Sequence, residues 1–489
     1  MNHSHSPSPP PSTFPSKSPS EKVLKQFFGF DSFREGQKEI VDSIISGQDT
    51  LAIRSTGSGK SICFQVPALY FPHLTLVISP LISLMSDQVQ ALIQKKIPAT
   101  FINSTLPADE IETRTQNLIN QKYKLLYLSP EKLESVKFAK ILAELPISFI
   151  AVDESHCISM WGHDFRPSYT KIPNFVKLLK KRPVVAAFTA TATPIIAQDI
   201  VNCLDLTQPT IFKQSSLRTN LQLNIIHCNN IAIKQLYLLK LLLCHSSDSG
   251  IIYCSTRKET EKVASLINHL NLDHKLTHTP VLPYHGGLES AQREKVQQQF
   301  ILDKSRLISA TNAFGMGVDK SNIRFVIHYQ LPANIENYYQ EVGRAGRDGK
   351  PSNCYLLYHQ KDAYIQEKMV AQTAKDRVKI EKQKLKQLLE MVLGESCLQK
   401  KLANYFGDQL DDDCGVCSNC QPPKIAFSQE EQDRWERIQQ HELLQKLPHQ
   451  LQLLITLVNP SNKDQWRKMP GVGEGLRREI DHSWYNIHL

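Results

Sequence analysis

Thr50-Leu51-Ala52-Ile53-Arg54-Ser55-Thr56-Gly57-Ser58-Gly59-Lys60-Ser61 decides the fold. Its first four residues are an apolar run that reads as a buried strand, and a helical pattern follows from Lys60. A strand feeding a glycine turn and then a helix lets backbone N–H groups cradle phosphate oxygens at the helix N-terminus. Thr56, Gly57, Ser58, Gly59, Lys60 and Ser61 are therefore candidate nucleotide-binding residues. Lys60 would reach the β and γ phosphates, and Ser61 would hold Mg²⁺. The general pattern places a first glycine separated by four residues from the Gly59-Lys60-Ser61 triplet. Here that position is Arg54, so the loop is a variant.

Outward from this loop, the text over 21–213 alternates short apolar runs with amphipathic stretches. Leu74 to Ser79, Leu125 to Ser129, Phe149 to Val152 and Val184 to Phe188 read as buried strands, which predicts a mostly parallel sheet covered on both faces. Asp153-Glu154-Ser155-His156 stands directly after one of them. Carboxylates at the C-terminal tip of a parallel strand face the ligand crevice of such a sheet. Asp153 can hold magnesium through water, and Glu154 can orient or deprotonate the attacking water. A second α/β unit, 214–358, carries the runs Gly250 to Cys254, Arg306 to Ser309, Phe325 to His328 and Tyr355 to Tyr358. Ser215 to Asn220 is the expected linker between the two units. Gln340-Glu341-Val342-Gly343-Arg344-Ala345-Gly346-Arg347 lies in the second unit. Arg344 and Arg347 could sit at one helix start and reach across a cleft to a transferring phosphoryl group; a surface basic turn is the plainer reading.

Composition is that of a globular chain. Apolar residues make up 41% and charged residues 21% of 489, which excludes a mostly disordered or fibrous protein. A stretch of about 18 uncharged apolar residues is absent from the sequence, so no membrane span is expected. The net charge of +9 is compatible with a polyanionic partner. The segment 1–20 holds six prolines and seven serines and reads as a disordered tail. Cys397, Cys414, Cys417 and Cys420 are separated by sixteen, two and two residues. That spacing suits one tetrahedral Zn²⁺, with an iron–sulfur cluster as the alternative. The metal would stabilise a small helical module, 359–425, whose charged helices bury little apolar surface alone. A solvated face is the expectation for Lys361 to Lys386, with phosphate contacts as the alternative. The remainder, 426–489, reads as a short helical region. Met469-Pro470-Gly471-Val472-Gly473 in it fits either a helix-hairpin-helix turn or an ordinary helix–helix connection.

In this order the motifs resemble those of superfamily-two helicases, and more narrowly the RecQ family of DNA helicases, over about Phe27 to Pro423. Phe30, Phe33-Arg34 and Gln37 resemble the family's adenine-reading motif. Ser79 to Gln88 resembles its strand-contacting motif, and Thr189-Ala190-Thr191-Ala192 the motif that links hydrolysis to DNA. Tyr284-His285-Gly286 and Ala310 to Asp319 resemble later motifs. Ser159 to Tyr169 (SMWGHDFRPSY) resembles the aromatic-rich loop that senses single-stranded DNA. Trp161 and Phe165 offer stacking faces, Arg166 a cation, and His163 with Asp164 a relay; a tryptophan-anchored structural loop is the alternative. The zinc spacing, and Asn404-Tyr405-Phe406-Gly407 within it, are similar to the family's as well.

The resemblance implies two tandem RecA-like parallel-sheet domains, then a helical zinc-binding domain and the short helical C-terminal region. It implies ATP, Mg²⁺ and Zn²⁺ as cofactors, with Lys60, Asp153, Glu154, His156, Gln340, Arg344 and Arg347 as the catalytic set. Phe30, Arg34 and Gln37 would bind the nucleotide base. Trp161, His163, Phe165, Arg166, Ser255, Arg257 and Thr311 would contact DNA. The implied activity is 3′→5′ unwinding of single-stranded and forked DNA substrates in recombination and repair. The implied place is the cytoplasm and nucleoid of a bacterium or the nucleus of a eukaryote. An RNA helicase of the same superfamily, or a translocase or annealing module without strand separation, are the alternatives, because 426–489 shows no evident wing.

Overall fold

The computed structural model describes residues 18–458, except 56, 104, 163, 272–276, 316–319, 423, 424, 426, 442, 443 and 448. Most of the Pro/Ser tail, and Met469 to Gly473, lie outside the described residues. Ser18 caps a short helix, Pro19–Val23, through a capping box with Glu21.

The first sheet holds seven strands: β1 (Thr50–Ile53), β2 (Leu74–Ile78), β3 (Ala99–Ile102), β4 (Leu125–Leu128), β5 (Ile147–Val152), β6 (Val184–Thr189) and β7 (Thr210–Lys213). Their order is β3-β4-β2-β5-β6-β1-β7, and every pairing is parallel. The inner strands are apolar throughout because both faces are covered. Along β5, Ile150 and Val152 enter the core on one face while Phe149 and Ala151 enter the core on the other.

The second sheet holds β8 (Leu221–His227), β9 (Ser249–Tyr253), β10 (Leu282–Tyr284), β11 (Leu307–Ala310), β12 (Ile323–His328) and β13 (Ser352–Tyr358). Its order is β10-β11-β9-β12-β13-β8, again parallel throughout. Both sheets place their first strand beside their last long one, with the same crossover pattern outward.

Two helical additions cover opposite faces of the second sheet. Leu385, Leu388, Met391, Leu402 and Phe406 of the cysteine-bearing module join the core under Leu221 and Leu223. The helices Gln429–Gln440 and His449–Val458 pack on the helix Ile231–Cys244 of the other face. That helix is apolar on two sides, and its outer side is covered by Phe427, Ile438, Leu444 and Leu453. Tyr237 and Phe427 rings lie 4.4 Å apart there, and Lys240 pairs with Glu431. Among the described residues, 426–458 is thus a brace on the second sheet, with no strand in it.

Candidate nucleotide and nucleic-acid sites

The loop after β1 turns on Gly57 and Gly59, at φ of +82° and +81°, values that side chains with a Cβ rarely adopt. Gly59 then caps the helix Lys60–Tyr70. Thr56 lies outside the described residues. Arg54 leaves the cradle clear because its guanidinium runs back to donate to Glu35 O at 2.8 Å. Lys60 Nζ donates to Arg54 O at 3.1 Å, and burial lowers its pKa against the pull of Glu154 and Asp153. Arg34 Nη1 donates to Gly57 O at 3.1 Å. Gln37 Nε2 donates to Ser58 O and Gly59 O at 3.2 and 3.0 Å, and its Oε1 accepts from Arg34 N. The base-reading residues and the phosphate loop are therefore one bonded unit.

Asp153 and Glu154 follow β5. Glu154 sits at φ +46°, a left-handed value for a residue with a side chain, of the kind that collects at active sites. Burial, then the Asp153 charge, push the Glu154 carboxyl up to about 7. Its Oε2 lies 3.3 Å from His156 Nδ1, which lies 2.9 Å from Thr189 Oγ1. That hydroxyl donates to Thr191 O, so the imidazole nitrogen is the donor to it. Tyr169 OH, at the end of the aromatic-rich segment, donates to Asp153 O at 2.9 Å.

One cleft of about 580 Å³ gathers Phe30, Arg34, Gln37, Gly57, Gly59, Lys60, Ser61, Asp153 and Glu154 from the first unit, and Gln340, Arg344 and Arg347 from the second. Phe30 is 53% exposed, so a face is open for a planar ligand. Arg344 and Arg347 lie in the turns that follow the helix Ile335–Val342, rather than at a helix start. The helix ends at Gly343, whose turn carries both arginines toward the other domain. Their placement differs. Arg344 is buried and donates to Gly315 O, while the Arg347 stem passes within 3.2 Å of where a Gly57 Cβ would stand. Leu84, Asp87 and Gln88 also line this cleft. The segment Ser79 to Gln88, expected at the nucleic-acid strand from its resemblance, thus turns one side of its helix to the cleft.

The residues read as nucleic-acid contacts lie outside that cleft. Trp161 is 38% exposed and Phe165 half-buried. His163 lies outside the described residues. Arg166 is engaged within the protein, donating to Asp164 Oδ2 at 3.1 Å and to Pro80 O at 3.2 Å. On the second unit, Ser255 Oγ donates to Leu331 O and accepts from Gln366, Thr311 is buried, and Arg257 is exposed over the Gly287 turn.

The Sγ atoms of Cys397, Cys414, Cys417 and Cys420 all lie within 4.8 Å of one another. Four sulfurs at about 2.3 Å from one tetrahedral ion stand about 3.8 Å apart; Cys414–Cys420 and Cys417–Cys420 stand at 4.0 and 3.4 Å. Backbone N–H groups of Leu398, Cys414 and Cys417 point at Cys417, Cys397 and Cys414 sulfurs at 3.3–3.4 Å. Such donors favour thiolates. Burial works against the Cys417 thiolate, yet the Leu398 N–H and its neighbours outweigh it and bring that thiol down to about 7. The arrangement fits a single zinc ion.

Two RecA-like sheets facing each other across a phosphate loop, a strand-tip Asp-Glu pair and two arginines define a superfamily-two helicase core. The DEAD/DEAH box helicase family matches residues 34–200, the helicase conserved C-terminal domain 233–349, and RecQ zinc-binding 360–421. The last match, with the sulfur geometry, fixes zinc as the metal of this module. "ATP-dependent DNA helicase RecQ" of Bacillus subtilis is 41% identical over 83% of this chain and 67% of its own length. The Haemophilus influenzae protein of that name is 41% identical over 82% of this chain and 64% of its own. This chain thus spans about two thirds of those relatives, and it belongs to the RecQ family of ATP-dependent DNA helicases. The fold is shared more widely: Mss116p bound to single-stranded RNA and AMP-PNP superposes with a TM-score of 0.60 at 16% identity, covering 86% of this chain and 92% of its own.

Proposed function

We propose that this chain is an ATP-driven motor that moves 3′→5′ on single-stranded DNA and separates forked duplexes. The convergence of Lys60, Asp153, Glu154 and Arg347 from two separate sheets on one cleft carries this reading. In it the chain divides at 213, 358 and 425. Phe30 and Arg34 face the base, with Gln37 tying that end of the site to the phosphate loop. The loop amides and Lys60 hold the phosphates, and Ser61 and Asp153 would hold magnesium, which neutralises phosphate charge. Glu154 orients the attacking water, aligned through His156. Arg347 is the arginine that stabilises the transferring phosphoryl group, because it lies against the phosphate loop; Arg344 acts as a positioning residue bound to Gly315 O. Gln340 lines the same cleft beside them.

Trp161 and Phe165 receive single-stranded DNA, and the exposed Arg257 holds the backbone on the second unit, with the Ser255 and Thr311 segments framing it. The path from this loop to the carboxylates is short: Tyr169 bonds Asp153, and Thr189 bonds His156. Among the described residues no helix is long and apolar enough to cross a membrane. The place of action in this reading is nucleoid or nuclear DNA. The test is a strand-displacement assay on forked duplexes with a 3′ or a 5′ loading strand, run beside ATPase stimulation by DNA and by RNA oligomers. Unwinding from the 3′ strand with DNA-selective stimulation is expected. Stimulation by RNA alone supports an RNA helicase, and stimulation without displacement a translocase.

A further inference from the structure

The helix Val378–Leu393 belongs to the zinc-binding module, and its text is charged. It does not present a purely solvated face. At its start, Arg377 Nη2 donates to Gly162 O at 3.0 Å, and the guanidinium lies 5.8 Å from the centre of the Phe165 ring. Both partners belong to the aromatic-rich loop, 215 residues away for Gly162. Glu381, one turn on, pairs with Arg377 and aims it. Gly162 is tightly set as well: a Cβ there would run into His156 O, so the carbonyl that Arg377 holds belongs to the backbone beside the DESH segment. Seven residues further along the same helix, Lys384 Nζ lies 2.9 Å from Glu336 Oε1, a buried pair with 6% and 1% of the side chains exposed. Glu336 is on the helix Ile335–Val342, whose following turns carry Arg344 and Arg347.

We infer that Arg377 is a positioning residue through which the zinc-binding module holds the aromatic-rich loop in its DNA-receptive shape. Two turns of rigid helix, about 10 Å, separate that grip from the one on the arginine-bearing helix. Occupancy of the loop and placement of Arg347 thereby share one mechanical element, in addition to the direct path through Tyr169. A guanidinium suits this role: its Nη2 donates to both Gly162 O and Glu381 while the flat group lies beside the Phe165 ring, and a point-like ammonium on a shorter stem offers no such face. This inference rests on the reading of the loop as the DNA contact.

The experiment measures ATPase against concentration of a single-stranded DNA oligomer, with thermal midpoints, for the full chain and for Arg377→Ala, Arg377→Lys, Glu381→Gln and Trp161→Ala. Arg377→Ala is expected to raise the half-saturating DNA concentration about five- to tenfold, with the thermal midpoint held. Arg377→Lys should show most of the same defect, and Glu381→Gln a smaller one in the same direction. If Arg377 instead met a DNA phosphate directly, Arg377→Lys would restore affinity and Glu381→Gln, by removing a carboxylate, would tighten DNA binding. Either result overturns the proposal, as does a native titration curve for Arg377→Ala. Trp161→Ala separates the two levels. Native stimulation in that variant defeats the DNA reading of the loop itself, whereas its loss beside a native Arg377→Ala defeats only the positioning role.

Discussion

The two sheets are topological twins with opposite fates. Matching their orders sets β1 against β8, β5 against β12 and β6 against β13. In the first, the helix after β1 begins with Lys60, and the tip of β5 carries Asp153 and Glu154; all three line an open cleft. In the second, the helix after β8 carries Lys234, but its ammonium is sealed against Asp362 at 2.6 Å, with 1% and 3% of the side chains exposed. The tip of β12 carries His328, closed onto Glu341 at 2.7 Å. One architecture thus yields a nucleotide site or a structural lock, depending on whether strand-tip charges face a cleft or each other.

Substitutions at Lys60, Glu154 and Arg347 test the open twin and should have the largest effects. Arg347→Ala should lower DNA-stimulated turnover by about 10³-fold or more while sparing nucleotide affinity. Arg344→Ala should act mainly through loss of its buried partner, and normal turnover in Arg347→Ala beside an inactive Arg344→Ala would exchange the two roles. Glu154→Gln should cost about 10²- to 10⁴-fold with nucleotide binding intact. Lys60→Ala should weaken nucleotide binding as well, because the phosphates lose their cation. Stopped-time phosphate release and fluorescent-nucleotide titration on the same preparations distinguish these patterns.

Legibility followed the same division. Inner strands such as β5 and β12 could be read directly, because burial on both faces demands unbroken apolar text. The edge strands could not. β7, Thr210–Lys213, is exposed along most of its length, and β10, Leu282–Tyr284, contains Pro283, so neither shows an apolar run. Motifs contiguous in sequence, the glycine loop and the Asp-Glu pair, announced their chemistry. What pairs across distant segments did not. Lys384 and Arg377 sit in text that reads as a solvated face, yet Glu336 and Gly162 cover them. The choice between Arg344 and Arg347 rests on Gly57, some 290 residues away.

The closed twin is tested by stability rather than turnover. Lys234→Met leaves Asp362 buried without its cation and should cost about 3–5 kcal/mol. Burial already raises the Asp362 carboxyl despite Lys234, and that carboxyl also accepts from His359 N as a helix cap. The double variant Lys234→Met with Asp362→Asn removes both charges and keeps an acceptor for the cap, so it should recover most of the loss. Calorimetric midpoints of the single and double variants decide this. A single variant as stable as the native chain would mean that the pair is not a lock, and that the second site tolerates an open charge as the first does.

The smallest effect belongs to the surface that neither twin builds alone. Trp161 is only partly covered, so its ring contributes little to the core, and a base stacked on it should contribute about 1–3 kcal/mol. Trp161→Ala should therefore weaken single-stranded DNA binding modestly. The more telling quantity is the ratio of DNA-stimulated to DNA-free turnover. The loop ends at Tyr169, whose hydroxyl holds the Asp153 carbonyl, and it begins beside His156, which touches Glu154. A base that no longer fixes the loop at Trp161 leaves those two contacts unchanged by DNA. The ratio should fall toward one even at DNA concentrations that saturate the variant, and strand displacement should fall with it. Were Trp161 merely an anchor for the loop, the thermal midpoint and the DNA-free rate would fall together while the ratio held. A stable variant with the native ratio would sever the loop from the cleft and leave the first sheet's carboxylates to be governed by domain closure alone.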